Sequence, residues 1–231
     1  MKPYFETENG KLYHGDCLEI MPQLGPVDLV LTDPPYGMDL DTDFSKMGNK
    51  NFKGKTKGTE YDLVIGDNKE FNPSMIMQFT QNSKDEIWFG ADYYCQHIKI
   101  KNSGSWQVWD KRLTASANKM FGSCFELIWT KKKHKREVWR YKWAGIYGME
   151  HQDTKKRVHP TQKPIGLFIQ ILSKYALPGW TILDPFAGSG TTGVACERLG
   201  GHKYTLIEYE EKYCEIAAKR IERETKQLKL F

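Results

Sequence analysis

Two short apolar runs in this sequence each end in a loop that carries a carboxylate. The run Val27–Thr32 leads into Asp33–Tyr36 (DPPY), and Trp180–Leu183 leads into Asp184–Thr192 (DPFAGSGTT). Apolar runs of this length are typical of buried parallel strands. Because open α/β sheets bind ligands at the carboxyl ends of their strands, both loops are expected at one functional edge.

Strand-like and helix-like segments alternate along the chain, which predicts an α/β fold with a doubly wound, mostly parallel sheet. The predicted strands are Lys11–His14, Val27–Thr32, Glu86–Gly90, Ser105–Trp109, Phe125–Trp129, Thr181–Leu183 and Lys203–Ile207, and Lys131–Gly145 is interpreted as a β-ribbon. The predicted helices are Phe71–Asn82, Tyr93–Ile100, Ile165–Tyr175, Thr191–Leu199 and Glu211–Thr225. After the last helix the sheet needs one more strand. Leu12–His14 can supply it, so a circular permutation is predicted.

The composition favours one domain over residues 1–231 and excludes several classes of protein. The longest apolar stretch falls short of the roughly 18 residues that cross a membrane, and Met1–Gly10 is too polar for a secretory signal. Five cysteines without a Cys-x-x-Cys pair argue against zinc and a disulfide scaffold. We therefore expect no metal, no membrane and a reducing, cytoplasmic location.

The positive charge of the chain is concentrated in one block. Lys131–Arg157 contains ten Lys or Arg residues against three acids, while the whole chain carries a net charge of +5. A local basic block on a near-neutral body indicates a polyanion site, although such a run can also be a solvated loop. Trp139, Tyr141 and Trp143 are interleaved with the cations, which favours backbone contact combined with base stacking.

The glycine loop by itself fits more than one class of ligand. It lacks the Gly-Lys-Ser/Thr ending of nucleoside-triphosphate loops, which argues against that class. Gly188, Gly190 and Gly193 satisfy the Gly-x-Gly-x-x-Gly pattern of dinucleotide loops. Glu208 follows about 20 residues later, where a ribose-binding acid belongs. Asp184 distinguishes the ligands, because a carboxylate there repels a pyrophosphate and attracts an ammonium group.

These motifs together resemble the S-adenosylmethionine-dependent amino-methyltransferases of DNA, the adenine-N6 and cytosine-N4 family. The resemblance rests on Asp33–Tyr36, the glycine loop, His159–Pro164 (HPTQKP), Gly15–Cys17 and Glu208, and it covers nearly the whole chain. It is nearest to the permuted class in which the catalytic turn precedes the cofactor loop. The resemblance implies a Rossmann-like, circularly permuted sheet with a small inserted target-recognition segment.

The resemblance also implies where S-adenosylmethionine binds. Asp184 would pair with the ammonium of its methionine part, and amides at the start of the next helix would take the carboxylate. Glu208 would hold the ribose, and Asp16 would accept from the adenine amino group. The implied cofactor-binding residues are Asp16, Cys17, Thr161, Lys163, Asp184, Phe186, Gly188, Gly190, Thr191, Thr192 and Glu208.

The DPPY turn supplies the groups that amine methylation needs. The lone pair of a nucleobase amine is delocalised into the ring, so the amine is a poor nucleophile. Asp33 would accept one N–H and the Pro34 carbonyl the other, which favours a tetrahedral nitrogen in the transition state. Tyr36 would stack on a base flipped out of the DNA double helix. These three residues are the predicted catalytic residues.

The expected reaction is methylation of adenine N6 in a short DNA target. Within the family, Asp at position 33 favours adenine. Cytosine-N4 methylation, RNA methylation and a catalytically silent DNA-binding relative are the alternatives. Residues 110–157 are the expected target-recognition segment and residues 37–60 a mobile lid. The expected nucleic-acid contacts are Lys131, Lys132, Lys133, Lys135, Arg136, Trp139, Arg140 and Lys142.

The end of the chain carries one further motif. Gln227–Phe231 (QLKLF) resembles the peptide by which bacterial replication proteins dock on the sliding clamp, with anchors at Gln227, Leu228, Leu230 and Phe231. Residues 226–231 are therefore interpreted as a flexible tail, with folding back onto the protein as the alternative. The resemblance also suggests a bacterial, archaeal or phage restriction-modification setting and leaves a homodimer open.

Overall fold

The computed structural model describes residues 1–43, 62–98, 103–112, 114, 123–144, 147–148 and 158–228. Its strands are β1 (Phe5–Glu6), β2 (Gly10–His14), β3 (Leu29–Thr32), β4 (Asp85–Phe89), β5 (Ser105–Asp110), β6 (Phe125–Thr130), β7 (Val138–Arg140), β8 (Trp143–Ala144), β9 (Tyr147–Gly148), β10 (Thr181–Asp184) and β11 (Lys203–Glu208). Its α-helices are α1 (Cys17–Ile20), α2 (Ser74–Phe79), α3 (Ile165–Tyr175), α4 (Thr191–Leu199) and α5 (Glu211–Leu228). Met21–Gln23 and Ala91–His97 form 3₁₀ turns.

Nine strands form one mixed sheet in the order β1-β2-β11-β10-β3-β4-β6-β5-β7. The strands from β2 to β4 in this order run parallel, β6 runs antiparallel to its neighbours, and β8 pairs with β9 separately. The N-terminal strand β2 lies parallel to β11, the place that the permutation predicted for it. The expected α/β fold with a mostly parallel, doubly wound sheet is confirmed.

Helices cover both faces of this sheet, because each helix buries one apolar face. Phe168 of α3 and Ile221 of α5 belong to the core on one face. Ile20 of α1 and Ile76 of α2 belong to the core on the other face. Among the described residues, no helix is long and apolar enough to span a membrane.

Some elements differ from the sequence prediction. The helix predicted from Phe71 is α2, which begins only at Ser74, after Pro73. The segment predicted as a helix from Tyr93 is a 3₁₀ turn, interrupted by the non-helical backbone of Tyr94. In the predicted β-ribbon, Val138–Arg140 joins the main sheet parallel to β5, because Trp139 is buried in the core there.

Candidate active site

The two sequence motifs meet at the carboxyl ends of neighbouring parallel strands. Asp33 follows β3, Asp184 ends β10 and Glu208 ends β11, and these three strands are adjacent in the sheet. The hydroxyl of Thr32 donates to Asp184 Oδ1 at 2.8 Å, which joins the motifs directly. The side chains predicted to meet at the carboxyl ends of these strands therefore do lie together.

The DPPY turn, Asp33–Tyr36, which is called the catalytic turn after its predicted role, presents a carboxylate and an aromatic ring in fixed positions. The Tyr36 hydroxyl donates to Asp33 Oδ1 at 2.5 Å. Its ring stacks on that of Tyr93, with centroids 5.0 Å apart and planes 8° from parallel. Gly90 permits this packing, since its φ is +60° and a Cβ there would lie 2.2 Å from the Tyr36 ring.

A buried cluster of charges surrounds this turn. Lys163 Nζ donates to Asp33 Oδ2 at 2.6 Å and to Glu126 Oε1 at 3.2 Å. Lys111 Nζ lies 3.1 Å from Glu126 Oε2. Burial raises the pKa of Asp33, and the Lys163 ammonium opposes that rise. Burial also acts to raise the pKa of Glu126, but Lys163 and Lys111 outweigh it and hold that pKa at about 2.

Sequence reasoning missed Glu126 and Lys111 and assigned Lys163 to the cofactor. The structure places the Lys163 ammonium beside the catalytic turn, and a role for it toward the cofactor stays a prediction. One available signal was Glu126 itself, an acid inside the mostly apolar strand β6. A carboxylate buried in a strand normally needs a cationic partner.

The HPTQKP segment flanks the glycine loop. The Thr161 backbone N–H donates to His159 Nδ1 at 3.2 Å, and its hydroxyl lies 3.1 Å from the same nitrogen. The His159 ring packs at 4.3 Å from Tyr213, and the Thr191 hydroxyl donates to the Lys163 carbonyl at 3.3 Å. The segment thus links the cofactor loop to the catalytic turn.

The glycines of the cofactor loop are required for two reasons, a positive φ in the turn and close packing that leaves no room for a Cβ. Gly188 has a φ of +50°, and its N–H donates to Glu208 Oε2 at 2.7 Å. Gly190 has a φ of +78°, and a Cβ there would lie 2.7 Å from Ala217 Cβ. A Cβ on Gly193 would lie 2.8 Å from the side chains of Leu206 and Ile221. The pattern therefore sets both the turn and the close packing of α4 on α5.

Asp184 holds the loop from inside. Its Oδ2 accepts from the Thr192 hydroxyl at 2.5 Å and its Oδ1 from the Phe186 N–H at 3.2 Å. Burial raises the pKa of Asp184 to about 6. With the bond from Thr32, Asp184 accepts three hydrogen bonds within the protein, so this side chain organises the loop. Its pairing with the ammonium group of a cofactor stays a prediction.

Glu208 and Asp16 lie at the ends of the adjacent strands β11 and β2. Glu208 Oε1 accepts from the Glu210 N–H at 2.8 Å, and burial raises its pKa to about 7. Asp16 caps α1 by accepting from the Leu18 N–H at 2.8 Å. Cys17 is buried, which raises the pKa of its thiol to about 12. These carboxylates, the glycine loop and the half-buried Phe186 ring lie at the carboxyl ends of β2, β11 and β10, where open α/β sheets bind their ligands.

Comparison with known proteins agrees with this arrangement. Residues 45–219, more than half of the chain, match the DNA methylase family. The chain belongs to this family. It is 29% identical to the Type II methyltransferase M2.MboI of Moraxella bovis, covering 99% of this chain and 94% of that protein. It is 28% identical to M2.LlaDCHI of Lactococcus lactis subsp. cremoris, covering 95% and 92%.

Solved structures support the fold of this DNA methylase. The M1.HpyAVI–SAM complex is 23% identical with a TM-score of 0.55, covering 92% of this chain and 98% of that one. The cytosine-N4-specific PvuII DNA methyltransferase is 18% identical with a TM-score of 0.61, covering 97% and 93%. At this level of identity the likeness concerns the fold alone.

The basic segment Lys131–Arg136 lies at the amino ends of the parallel strands, opposite to the carboxyl ends that carry the candidate active site. The Lys132 N–H donates to Asp85 Oδ1 at the start of β4, whereas the Gly90 N–H, just past the end of β4, donates to the Leu127 carbonyl. These two ends of β4 are separated by about 13 Å along the strand. The segment is displaced because β6 runs antiparallel and carries the chain away from the site.

Two of the predicted nucleic-acid contacts are corrected by this structure. Lys131 Nζ lies within hydrogen-bond distance of the Thr80, Gln81 and Ser83 carbonyls and of Glu86 Oε1, so its ammonium is used inside the protein. Trp139 is 9% exposed and donates to Gln107 Oε1 at 2.7 Å, so its ring is unavailable to a base. The remaining predicted cations are exposed or half-buried, namely Lys132, Lys133, Lys135, Arg136, Arg140 and Lys142.

The corrected role of Lys131 gives a stability prediction. Lys131→Met is expected to lower the free energy of unfolding by about 2 kcal/mol, because the buried Glu86 carboxylate loses its cationic partner and the Gln81 and Ser83 carbonyls lose a donor. Lys133→Met is the matched control, since Lys133 is exposed and should change stability by less than about 0.5 kcal/mol. Urea denaturation of both variants makes the comparison. Equal stabilities would contradict the internal role of Lys131.

Asp67 positions the catalytic turn of this DNA methylase and was also missed. Its Oδ1 accepts from the N–H groups of Tyr36 at 3.0 Å and Gly37 at 2.9 Å, and its Oδ2 from that of Leu40 at 2.9 Å. The side chain is buried. Residues 37–40 at the start of the predicted lid are thus held at this carboxylate, and residues 44–60 lie outside the described residues.

Removing this clamp is expected to slow catalysis. Asp67→Ala should lower kcat about tenfold, because small displacements of a catalytic group are costly. Asp67→Asn keeps one acceptor oxygen and should be milder. Asp41→Ala is the control, since exposed Asp41 accepts from the Asp43 N–H within the same segment and is not bonded to the backbone of residues 36–40. Steady-state methylation assays with the three variants test this, and equal rates for Asp67→Ala and Asp41→Ala would contradict it.

Proposed function

We propose that this DNA methylase transfers a methyl group from S-adenosylmethionine to the N6 amine of adenine in DNA. The observation that carries the proposal is the hydrogen bond from Thr32, the residue directly before the catalytic turn, to Asp184 of the cofactor loop. A methyl donor held by the loop and an amine held by the turn would therefore be neighbours. Relatives named Type II methyltransferases add support.

The residues present fit S-adenosylmethionine. Glu208 and Asp16 offer carboxylates for hydroxyl and amino groups. The loop around Gly188 and Gly190 leads into the nine-residue helix α4, whose first amides suit a carboxylate. Phe186 supplies an apolar wall and packs edge-on against Phe71 at 5.4 Å. When bound, this cofactor supplies an electrophilic methyl group.

The chain's own residues then act on the amine. Asp33 accepts a hydrogen bond from it, and later its proton, while the Pro34 carbonyl accepts the second N–H. The Tyr36 hydroxyl is engaged by Asp33 and Glu126, so the ring is held for stacking on a flipped base. Tyr93 stacks on one face of that ring, and a flipped base would stack on the opposite face.

The alternatives differ in the substrate that receives the methyl group. Cytosine N4 is a second candidate, because the similar fold of the PvuII enzyme belongs to a cytosine-N4-specific protein. Incubation with labelled S-adenosylmethionine and mixed-sequence DNA, followed by nucleoside analysis, separates the two bases. RNA in a parallel reaction tests the RNA alternative. Binding of DNA without label transfer would indicate a silent relative and overturn the proposal.

DNA contact is proposed for the exposed cations on two edges. Arg140 ends β7 beside Asp110, at the same sheet edge as the catalytic turn, and Lys142 follows it. The cations from Lys132 to Arg136 would contact phosphates farther along a duplex. We also propose residues 110–157 as the target-recognition segment and residues 37–60 as a lid. A cytoplasmic location, a restriction partner and a homodimer stay predictions.

The clamp-docking tail is a separate proposal. Helix α5 continues through Leu228, extended past the predicted end at Thr225 and supported by the Glu222–Lys226 ion pair, while residues 229–231 lie outside the described residues. Deleting residues 227–231 is expected to abolish binding to a bacterial sliding clamp and to leave methylation of free DNA unchanged. Surface plasmon resonance and melting curves test this. A large fall in melting temperature would instead make the tail structural.

A further inference from the structure

A buried ammonium joins the two carboxylates of the active site. Lys163 Nζ lies 2.6 Å from Asp33 Oδ2, 3.2 Å from Glu126 Oε1 and 3.2 Å from the Tyr36 hydroxyl. The Lys163 side chain is only 8% exposed. Three separate parts of the chain meet here, namely the turn after β3, the strand β6 and the segment before α3.

The walls around this ammonium are apolar. Lys163 Nζ lies 5.5 Å from the centroid of the Phe89 ring and 6.0 Å from that of Trp109. In such surroundings charges interact more strongly than in water. Burying an ion pair seldom adds net stability, so its presence at the catalytic turn calls for another role.

We propose that Lys163 and Glu126 are positioning residues, in which Lys163 holds Asp33 as a carboxylate directed at the target amine and Glu126 limits its pull on that carboxylate. This inference rests on the proposed amine methylation. Asp33 must be ionised to accept the N–H, and it must remain basic enough to take the proton from the methylated nitrogen. A cation alone would make Asp33 too weak a base, and a second carboxylate alone would keep it protonated.

The charges that face Asp33 balance in pairs. Lys163 and Lys111 carry two positive charges against those of Asp33 and Glu126. Burial raises the pKa of Asp33, Lys163 lowers it, and Glu126 raises it. Among the described residues, the titratable groups that interact with this carboxylate are Tyr36 on its own turn, Tyr94 on the 3₁₀ turn, Lys111 after β5, Glu126 on β6, Lys163 before α3 and Asp184 on β10, and Asp92 acts on Tyr94 beside them.

The two single variants should therefore move the titration of Asp33 in opposite directions. Lys163→Met is expected to raise the midpoint by about 1–3 pH units, because an opposite charge is lost. Glu126→Gln is expected to lower it by about 1 pH unit, because a like charge is lost. The double variant should fall between them. The midpoint is measured on the intact protein from the ¹³C carboxyl signal of Asp33, which is assigned by its absence in Asp33→Asn.

Lys174→Met is the matched control. Lys174 also pairs with an acid, Glu137, and lies over an aromatic ring, that of Trp139, but it is 43% exposed and remote from the turn. It should leave the Asp33 midpoint unchanged. If Lys163→Met does not fold, Lys163→Arg and Glu126→Gln carry the test. The Arg variant keeps the charge, so its midpoint should stay while its rate falls.

The acid limb of the pH profile of kcat/KM should move with the same signs as the midpoints. Shifts of both single variants in one direction, or unmoved midpoints, would overturn the inference while wild-type DNA methylation remains intact. An inactive wild-type enzyme would instead refute the proposed function, and the ¹³C titration would still report whether Lys163 and Glu126 oppose each other at Asp33.

Discussion

Asp33→Ala is expected to lower the rate of methyl transfer to DNA by at least about 100-fold, because the variant loses an acceptor that is strongest in the transition state. Asp33 is the carboxylate on which the Tyr36 hydroxyl and the Lys163 ammonium converge. Single-turnover assays with labelled cofactor measure the chemical step directly. Binding of S-adenosylmethionine should change less than the rate does.

Asp28→Ala provides a control at the other end of the same strand. Asp28 precedes β3, pairs with Lys84 at 2.8 Å and accepts from the Thr181 N–H, far from the catalytic turn. This variant should keep its methylation rate once equal folded fractions are compared. If Asp33→Ala retained more than about one tenth of the wild-type rate, its role as the amine acceptor would be refuted.

The second large effect concerns pH and Glu208. Burial raises its folded pKa from 4.5 to about 7, so the folded protein holds a proton that the unfolded chain has already released. Where the folded state binds more protons than the unfolded state, the free energy of unfolding falls as the pH rises. The raised pKa is expected to cost on the order of 3 kcal/mol of unfolding free energy between about pH 4.5 and pH 7, with the loss complete above the folded pKa.

Glu208→Gln is expected to flatten this part of the stability profile. Urea denaturation near pH 5 and near pH 8 gives the difference for both proteins. Asp184, with its pKa raised to about 6, should leave a smaller slope of the same sign in the variant. If ribose hydroxyls bond to ionised Glu208, cofactor affinity should rise over the same pH range in the wild type only. Parallel stability profiles would contradict the assignment.

The strands and the functional edge could be predicted from local sequence patterns. The apolar run before Asp33 and the run before Asp184 are buried strands, and both motifs do lie at carboxyl ends. The position of Leu12–His14 beside β11 could also be predicted from the sequence, because the sheet needed one more parallel strand after the last helix. These predictions succeed because strand burial and turn chemistry depend on neighbours in the sequence.

The position of the basic segment could not be predicted from local sequence patterns. Its composition indicates contact with a polyanion, but direction along the sheet decides which edge it occupies. Antiparallel β6 carries Lys131 to the amino end of β4, where helix α2 ends and its carbonyls need a donor. Trp139 turns inward because β7 pairs with β5 and Gln107 offers an acceptor.

The sequence by itself determined the α/β fold, the DPPY turn, the glycine loop and the acid at the end of β11. Only the tertiary structure decided that Lys163 meets Asp33 and Glu126, and that Asp67 binds the backbone of the turn. The partners of each contact are 30 to 130 residues apart. A side chain's local pattern specifies its type, whereas the partner that satisfies a buried charge is fixed by which strands and loops the fold brings together.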